Sequence, residues 1–162
     1  MKVETSRFGT LEIDPEDRIF FPEGMMGLPG LQNFILFDHP GGIFQWLQCC
    51  DDPDLAFVVM DPAFVVGEHN LRLTDGELEV LGVSDLSGED NGAEICVLAT
   101  VNVSDPRNPT VNLLAPLCIA MRTRKALQVV QHHSGYSTRH ELRPGGGNRE
   151  SRRKRRAASQ AA

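Results

Sequence analysis

The stretch Ile43-Phe44-Gln45-Trp46-Leu47-Gln48-Cys49-Cys50, halted by Asp51-Asp52-Pro53 and resumed at Leu55-Ala56-Phe57-Val58-Val59-Met60, decides the fold class. Both arms are rich in aromatic and β-branched residues, and the break is Asp/Pro turn chemistry, so the segment reads strand, turn, strand. The same grammar runs outward. Strands are expected at Met1–Thr5, Thr10–Ile13, Arg18–Phe21 and Phe34–Asp38 before it, and at Ile95–Val103, Val111–Ala120 and Ala126–Gln131 after it. Punctuation falls at Asp14-Pro15, His39-Pro40-Gly41-Gly42 and Ser104–Pro109, while Ser84–Gly92 reads as an exposed polar loop. One helix is expected at Asp75–Leu81, because Thr74 and Glu77 form a capping box and Gly82 supplies the stop. The fold class is therefore mainly β: a small antiparallel barrel, closed or pseudo-closed, with one short helix.

Composition sets the outer limits. A chain of 162 residues with 41% hydrophobic and 23% charged residues is an ordinary globular composition. The longest apolar run, Leu55–Met60, is far below the ~20 residues of a membrane helix. Nothing after Met1-Lys2-Val3-Glu4 resembles a secretory signal, so a cytoplasmic location is expected. The net charge of −6 hides an asymmetry. Residues 143–162 carry seven bases against one acid, a net +6, while residues 1–142 carry nine bases against twenty-one acids, a net −12. We read 1–142 as the folded domain and 143–162 as a flexible, disordered polybasic tail, since its Gly-rich start and Arg149–Arg156 run hold no large apolar residue to offset ordering entropy. An acidic body repels phosphate backbones and attracts basic partners. Specific nucleic-acid binding is not expected, and the tail has no aromatic residue on which bases could stack.

Catalytic signatures are missing from the sequence. It contains no His-Glu-x-x-His, Gly-x-Ser-x-Gly or Gly-Lys-Ser/Thr motif. Cys49, Cys50, Cys96 and Cys118 show no metal-knuckle or redox spacing and sit in apolar runs, which favours buried reduced thiols. His132 and His133 are adjacent and would face opposite ways on a strand. We expect no catalytic residues, no metal ligands and no cofactor. An enzymatic alternative, a Cys/His hydrolase built on Cys49 or Cys50, and an RNA-binding protein acting through the tail are the competing readings.

Several segments together resemble the flagellar assembly factor family called FliW. They are Phe20-Phe21-Pro22-Glu23-Gly24, Gly27-Leu28-Pro29-Gly30-Leu31, Phe44-Gln45-Trp46-Leu47-Gln48, Asp52-Pro53-Asp54-Leu55-Ala56-Phe57 with Asp61-Pro62, and finally Thr110, Asn112-Leu113, Ala115-Pro116-Leu117 and Tyr136–Leu142. The resemblance spans about Met1 to Leu142; Cys49-Cys50 departs from it, standing where a small polar residue is expected. It implies a β-barrel adaptor with no enzymatic activity. It further implies binding to CsrA, a dimeric RNA-binding repressor of translation, which relieves repression of flagellin mRNA, and chaperone-like binding to flagellin itself. As partner contacts we single out Met25 and Met26, adaptable side chains in a loop; Trp46, either a core aromatic or an interface anchor; and Tyr136, Arg139 and His140, polar residues near the end of the domain.

Overall fold

A computed structural model describes residues 1–38, 42–84 and 95–142. Residues 39–41 of the expected turn at 39–42, most of the loop at 84–92, and the polybasic tail lie outside the described residues. In chain order the strands are β1 (Lys2–Thr5), β2 (Gly9–Glu12), β3 (Ile19–Phe20), β4 (Asn33–Asp38), β5 (Phe44–Cys49), β6 (Ala56–Met60), β7 (Ile95–Asn102), β8 (Thr110–Val111), β9 (Leu117–Ala120), β10 (Ala126–Gln128) and β11 (His140–Glu141). Two helices, α1 (Ala63–Val66) and α2 (Asp75–Leu81), lie between β6 and β7, and a 3-10 turn covers Pro15–Asp17.

The architecture is mainly β and every strand pairing is antiparallel. Nine strands share one sheet in the order β10-β9-β7-β6-β5-β4-β3, with β8 also on β7 and β11 on β8. β1 and β2 form a separate hairpin. The opening stretch of the sequence is the middle of the sheet: β4, β5 and β6 pair in five-residue registers, Phe34↔Cys49 to Asp38↔Gln45 and Phe44↔Met60 to Gln48↔Ala56. Their inward side chains, with others from β3, β7, β9 and β10, form one core cluster containing Ile19, Phe21, Phe34, Leu47, Val59, Leu98, Leu117, Ile119 and Ala126. Seven strands contribute to it because the sheet's right-handed twist curls one face around on itself.

Ladders of hydrogen bonds do not complete that curl, so where a closed or pseudo-closed barrel is expected the described residues show a curled, mainly β sheet without closure by hydrogen bonds. The ends of the path, β3 and β10, meet at a single parallel bridge between Phe20 and Lys125, where the Phe20 N–H donates to the Arg124 carbonyl at 2.9 Å. β3 is only two residues long, and Phe20 alone carries the contact on its outer side.

The single expected helix is present with both halves of its capping box, Glu77 N–H to Thr74 Oγ1 at 3.2 Å and Thr74 N–H to Glu77 Oε1 at 2.9 Å, and with Gly82 left-handed at φ +72°. It lays Leu81 on the other face of β9 and β10, with Cys118, Ala120, Leu127 and Val129. Helix α1 was not expected, because Ala63-Phe64-Val65-Val66 has the composition of a strand. Asp61 accepts the Ala63 N–H at 2.9 Å and turns the chain, and burial of Phe64 against Met60, Val101 and Leu113 holds it. The expected strand Val111–Ala120 is two strands. The Asn112 amide oxygen accepts the Ala115 N–H at 3.0 Å, folding residues 112–116 into a turn.

Candidate protein-interaction surface

The six singled-out residues fall into distinct environments. Met25 lies in the main core at 4% exposure and presents nothing to a partner, whereas Met26 is among the most exposed apolar residues at 51%. The loop between them and Leu31 is fixed by Gly24, whose φ of +69° and position 2.6 Å (for an added Cβ) from the Pro29 backbone exclude any side chain. Met26 is therefore held out on a rigid support, and its N–H donates to the Gln128 side chain at 3.0 Å.

Trp46 is on the outer face of β5, half-buried beneath the β1–β2 hairpin. Phe8 at the hairpin's tip meets it edge-on at 5.3 Å between centroids and meets Phe37 at 4.7 Å, while the Arg7 guanidinium lies 4.8 Å over the indole. Such pairs are worth about 0.5–1.5 kcal/mol each beyond area burial. The tryptophan anchors the hairpin to the sheet. Ser6 extends the attachment, its N–H bonded to the Pro53 carbonyl at 2.9 Å and its hydroxyl to the Asp54 carboxylate.

Tyr136 is half-buried and packs on His69, ring centroids 5.1 Å apart. Burial lowers the His69 pKa from the ordinary 6.5, with the neighbouring His133 adding to the effect and the Leu113 carbonyl and Asp61 opposing it. Arg139 and His140 are exposed, His140 opposite Val111 in the β11–β8 pair.

What the sequence did not reveal is a groove of about 780 Å³ between α2 and residues 127–133, with Leu73, Val80, Leu127 and Val129 on its apolar wall. It exists because β10 is the last strand on its side of the sheet. Val129 and Gln131 send their N–H groups inward to Pro116 and Leu114, so Gln128, Val130 and His132 direct their backbone groups the other way. Buried Gln131 fixes the groove's floor: its side chain accepts the Arg72 N–H at 2.8 Å and donates to the Arg72 carbonyl at 2.9 Å, copying a strand pair. The strip also links two of the singled-out residues. Met26 is tied to Gln128 at one end, and at the other Ser134 and Tyr136 follow Gln131 through the bonds Ser134 Oγ to Gln131 carbonyl at 2.7 Å and Tyr136 N–H to Ser134 Oγ at 3.1 Å. Trp46 is not part of it. The only sequence trace of the groove was the run Val129-Val130, indistinguishable from ordinary strand.

Cys49, Cys50 and Cys118 lack the character of nucleophiles. Burial raises the Cys49 pKa, and burial together with Cys49 and Asp51 pushes Cys50 up to about 11; burial takes Cys118 to about 12. A nucleophilic cysteine needs the opposite shift. Among the described residues no three His, Cys, Asp or Glu side chains gather as a metal site, and no helix is long and apolar enough to cross a membrane.

Comparison with known proteins gives the geometry its family. A sequence profile described as "FliW protein" matches residues 2–142. The chain belongs to the FliW family. It is 37% identical over 142 residues to the flagellar assembly factor FliW of Syntrophotalea carbinolica, covering 87% of this chain and 97% of that one. It is 35% identical over 135 residues to the flagellar assembly factor FliW of Pseudothermotoga lettingae, covering 83% and 84%. A crystal structure of a flagellar assembly factor FliW superposes with a TM-score of 0.78 at 27% identity, covering 89% of this chain and 98% of the other. The sequence-level resemblance is thus shown at the level of family and fold, and the protein is a flagellar assembly factor by that membership.

Proposed function

We propose that this chain is a cytoplasmic, non-enzymatic adaptor that binds the translational repressor CsrA, relieves its repression of flagellin mRNA, and binds flagellin as a chaperone-like partner. The observation that carries this reading is the family match over residues 2–142, the whole described domain apart from Met1. The chemistry supports it in two ways. A net charge of −12 over residues 1–142 suits a basic RNA-binding protein through steering and complementary potential, and it disfavours direct contact with RNA. The groove between α2 and residues 127–133 offers what an amphipathic flagellin segment needs, an apolar wall beside the strand that ends the sheet among the described residues, with exposed Met26 tied to Gln128 of that strand. Raised thiol pKa values weigh against the hydrolase alternative.

The experiment is a two-partner competition. Full-length chain should co-elute with purified CsrA, and added flagellin should displace CsrA. Val130→Glu, which puts a charge on the groove's edge, should weaken flagellin binding and leave CsrA binding in place. Failure of both partners to bind at low ionic strength would overturn the reading.

A further inference from the structure

The two ends of the sheet meet at a place where the acidic body is locally basic. Of the nine Lys/Arg in residues 1–142, four gather here: Arg18, Arg122 and Arg124 line a cavity of about 620 Å³, and Lys125 is bridged to Phe20. Phe20 and Met121 lie in the same lining, each 36% exposed. Both apolar side chains thus lie partly exposed among these cations and the carboxylates of Glu16 and Asp17.

The support beneath them is stiff. Arg124 has φ +59°, a left-handed conformation that costs a non-glycine residue about 1–2 kcal/mol. Its carbonyl accepts the Phe20 N–H at 2.9 Å and its Nη2 donates to the Asp17 carbonyl at 2.7 Å, so the 3-10 turn, β3 and the β9–β10 turn move as one piece. Its Nε is buried without a hydrogen-bond partner. Thr123 fixes the same turn from the other side by donating to the Leu81 carbonyl at 2.7 Å.

We infer that this seam is a docking surface for a protein segment that presents an apolar side chain flanked by carboxylates, a site distinct from the groove along residues 127–133. The apolar side chain covers Phe20 and Met121, and the carboxylates sit against Arg122 and Lys125, with Arg18 divided between the seam and Asp51, whose carboxyl it helps to keep ionised. A nucleic acid fits less well, because Glu16 and Asp17 stand in the lining and repel a continuous phosphate chain, while spaced carboxylates avoid them.

The test is a selection of displayed short random peptides on the full-length chain, followed by binding of the enriched peptides to variants. Enriched peptides should carry Asp or Glu beside Leu, Ile or Phe. Their affinity should fall about tenfold in Met121→Glu/Arg122→Glu and fall with rising salt. Lys125→Glu alone should give a smaller loss in the same direction, which keeps the test decisive if the double variant unfolds. Three results overturn the inference: enrichment of peptides without acids, affinity unchanged in both variants, or a labelled oligouridylate probe that binds more tightly than the peptides and is lost in the same variants. Self-association of the wild-type chain abolished by Arg122→Glu would also overturn it, assigning the surface to a second copy.

Discussion

The centre of the sheet and its periphery are held by different physics. Strands β4, β5 and β6 pair over five-residue registers and share one continuous core, so no single bond decides their position. The surrounding pieces are short, two to four residues in β3, β8, β9, β10 and β11, and around them the chain is placed by single side chains. Asp51 gathers the backbone N–H groups of Gln32 and Asn33, Gln131 pairs with Arg72, Asn112 turns the chain into β9, and the Arg124 side chain holds the Asp17 carbonyl just ahead of β3. Burial shared among many residues stabilises without specifying detail, whereas a hook specifies detail and contributes about 0.5–1.5 kcal/mol per bond.

The sharpest way to test that division is to remove mass from the centre. Phe34 is fully buried on β4 and packs edge-on against Phe21 at 5.2 Å and at a tilt against Phe57 at 6.3 Å. Phe34→Ala should lower stability by about 3–5 kcal/mol in urea titration, with no substitute contact available. A loss below about 1 kcal/mol would mean the centre is no more cooperative than the rim.

A hook should cost less and act locally. Gln131→Leu removes both bonds to Arg72 and strands a peptide unit on the groove floor, for an expected loss of about 2 kcal/mol. Hydrogen exchange should quicken around residues 71–74 and stay unchanged in β5. Uniform acceleration across the sheet would erase the distinction between the two regions.

The same division explains what the sequence made legible. Strands β1 to β7 were all found to within two residues, because their apolar and β-branched runs end at Asp, Pro or Gly. Helix α2 was legible through its cap alone. The rest depended on partners far along the chain. Helix α1 has a strand's composition and is made helical by Asp61 and by burial of Phe64. β11 is two exposed residues that become a strand only because β8 lies alongside. The groove has no sequence signature because it depends on β10 ending the sheet among the described residues, and no residue type signals a sheet edge. Of the singled-out contacts, Met25 and Met26 could not be told apart by composition; Gly24 and the Pro29 backbone decide which one faces the core.

At the seam the effect is smaller and its sign more informative. Arg124→Ala and Arg124→Gly both lose the bond to the Asp17 carbonyl, but only glycine relaxes the positive φ. The glycine variant should exceed the alanine variant by about 1 kcal/mol in thermal unfolding. Equal stabilities would mean that the turn readjusts and the seam is soft.

The smallest effects are those of pH, and they separate two residues by the range in which each loses its contribution on acidification. His69 takes up a proton less readily folded than unfolded, because burial disfavours its charge, so the unfolded chain binds more protons below the ordinary value of 6.5. That contribution is complete above this value and declines as pH falls through it. Asp51 behaves differently: burial pulls its carboxyl up, but the Asn33 and Gln32 N–H groups, the Asn33 amide and Arg18 outweigh it and hold the pKa below the ordinary 3.8. Its contribution is complete above 3.8 and is lost as pH drops through the lower folded value. Urea midpoints should therefore fall in two separate steps, with His69→Gln flattening only the first and Asp51→Asn only the second. If His69→Gln leaves the first step intact, burial of His69 beside Tyr136 is not the source of that step.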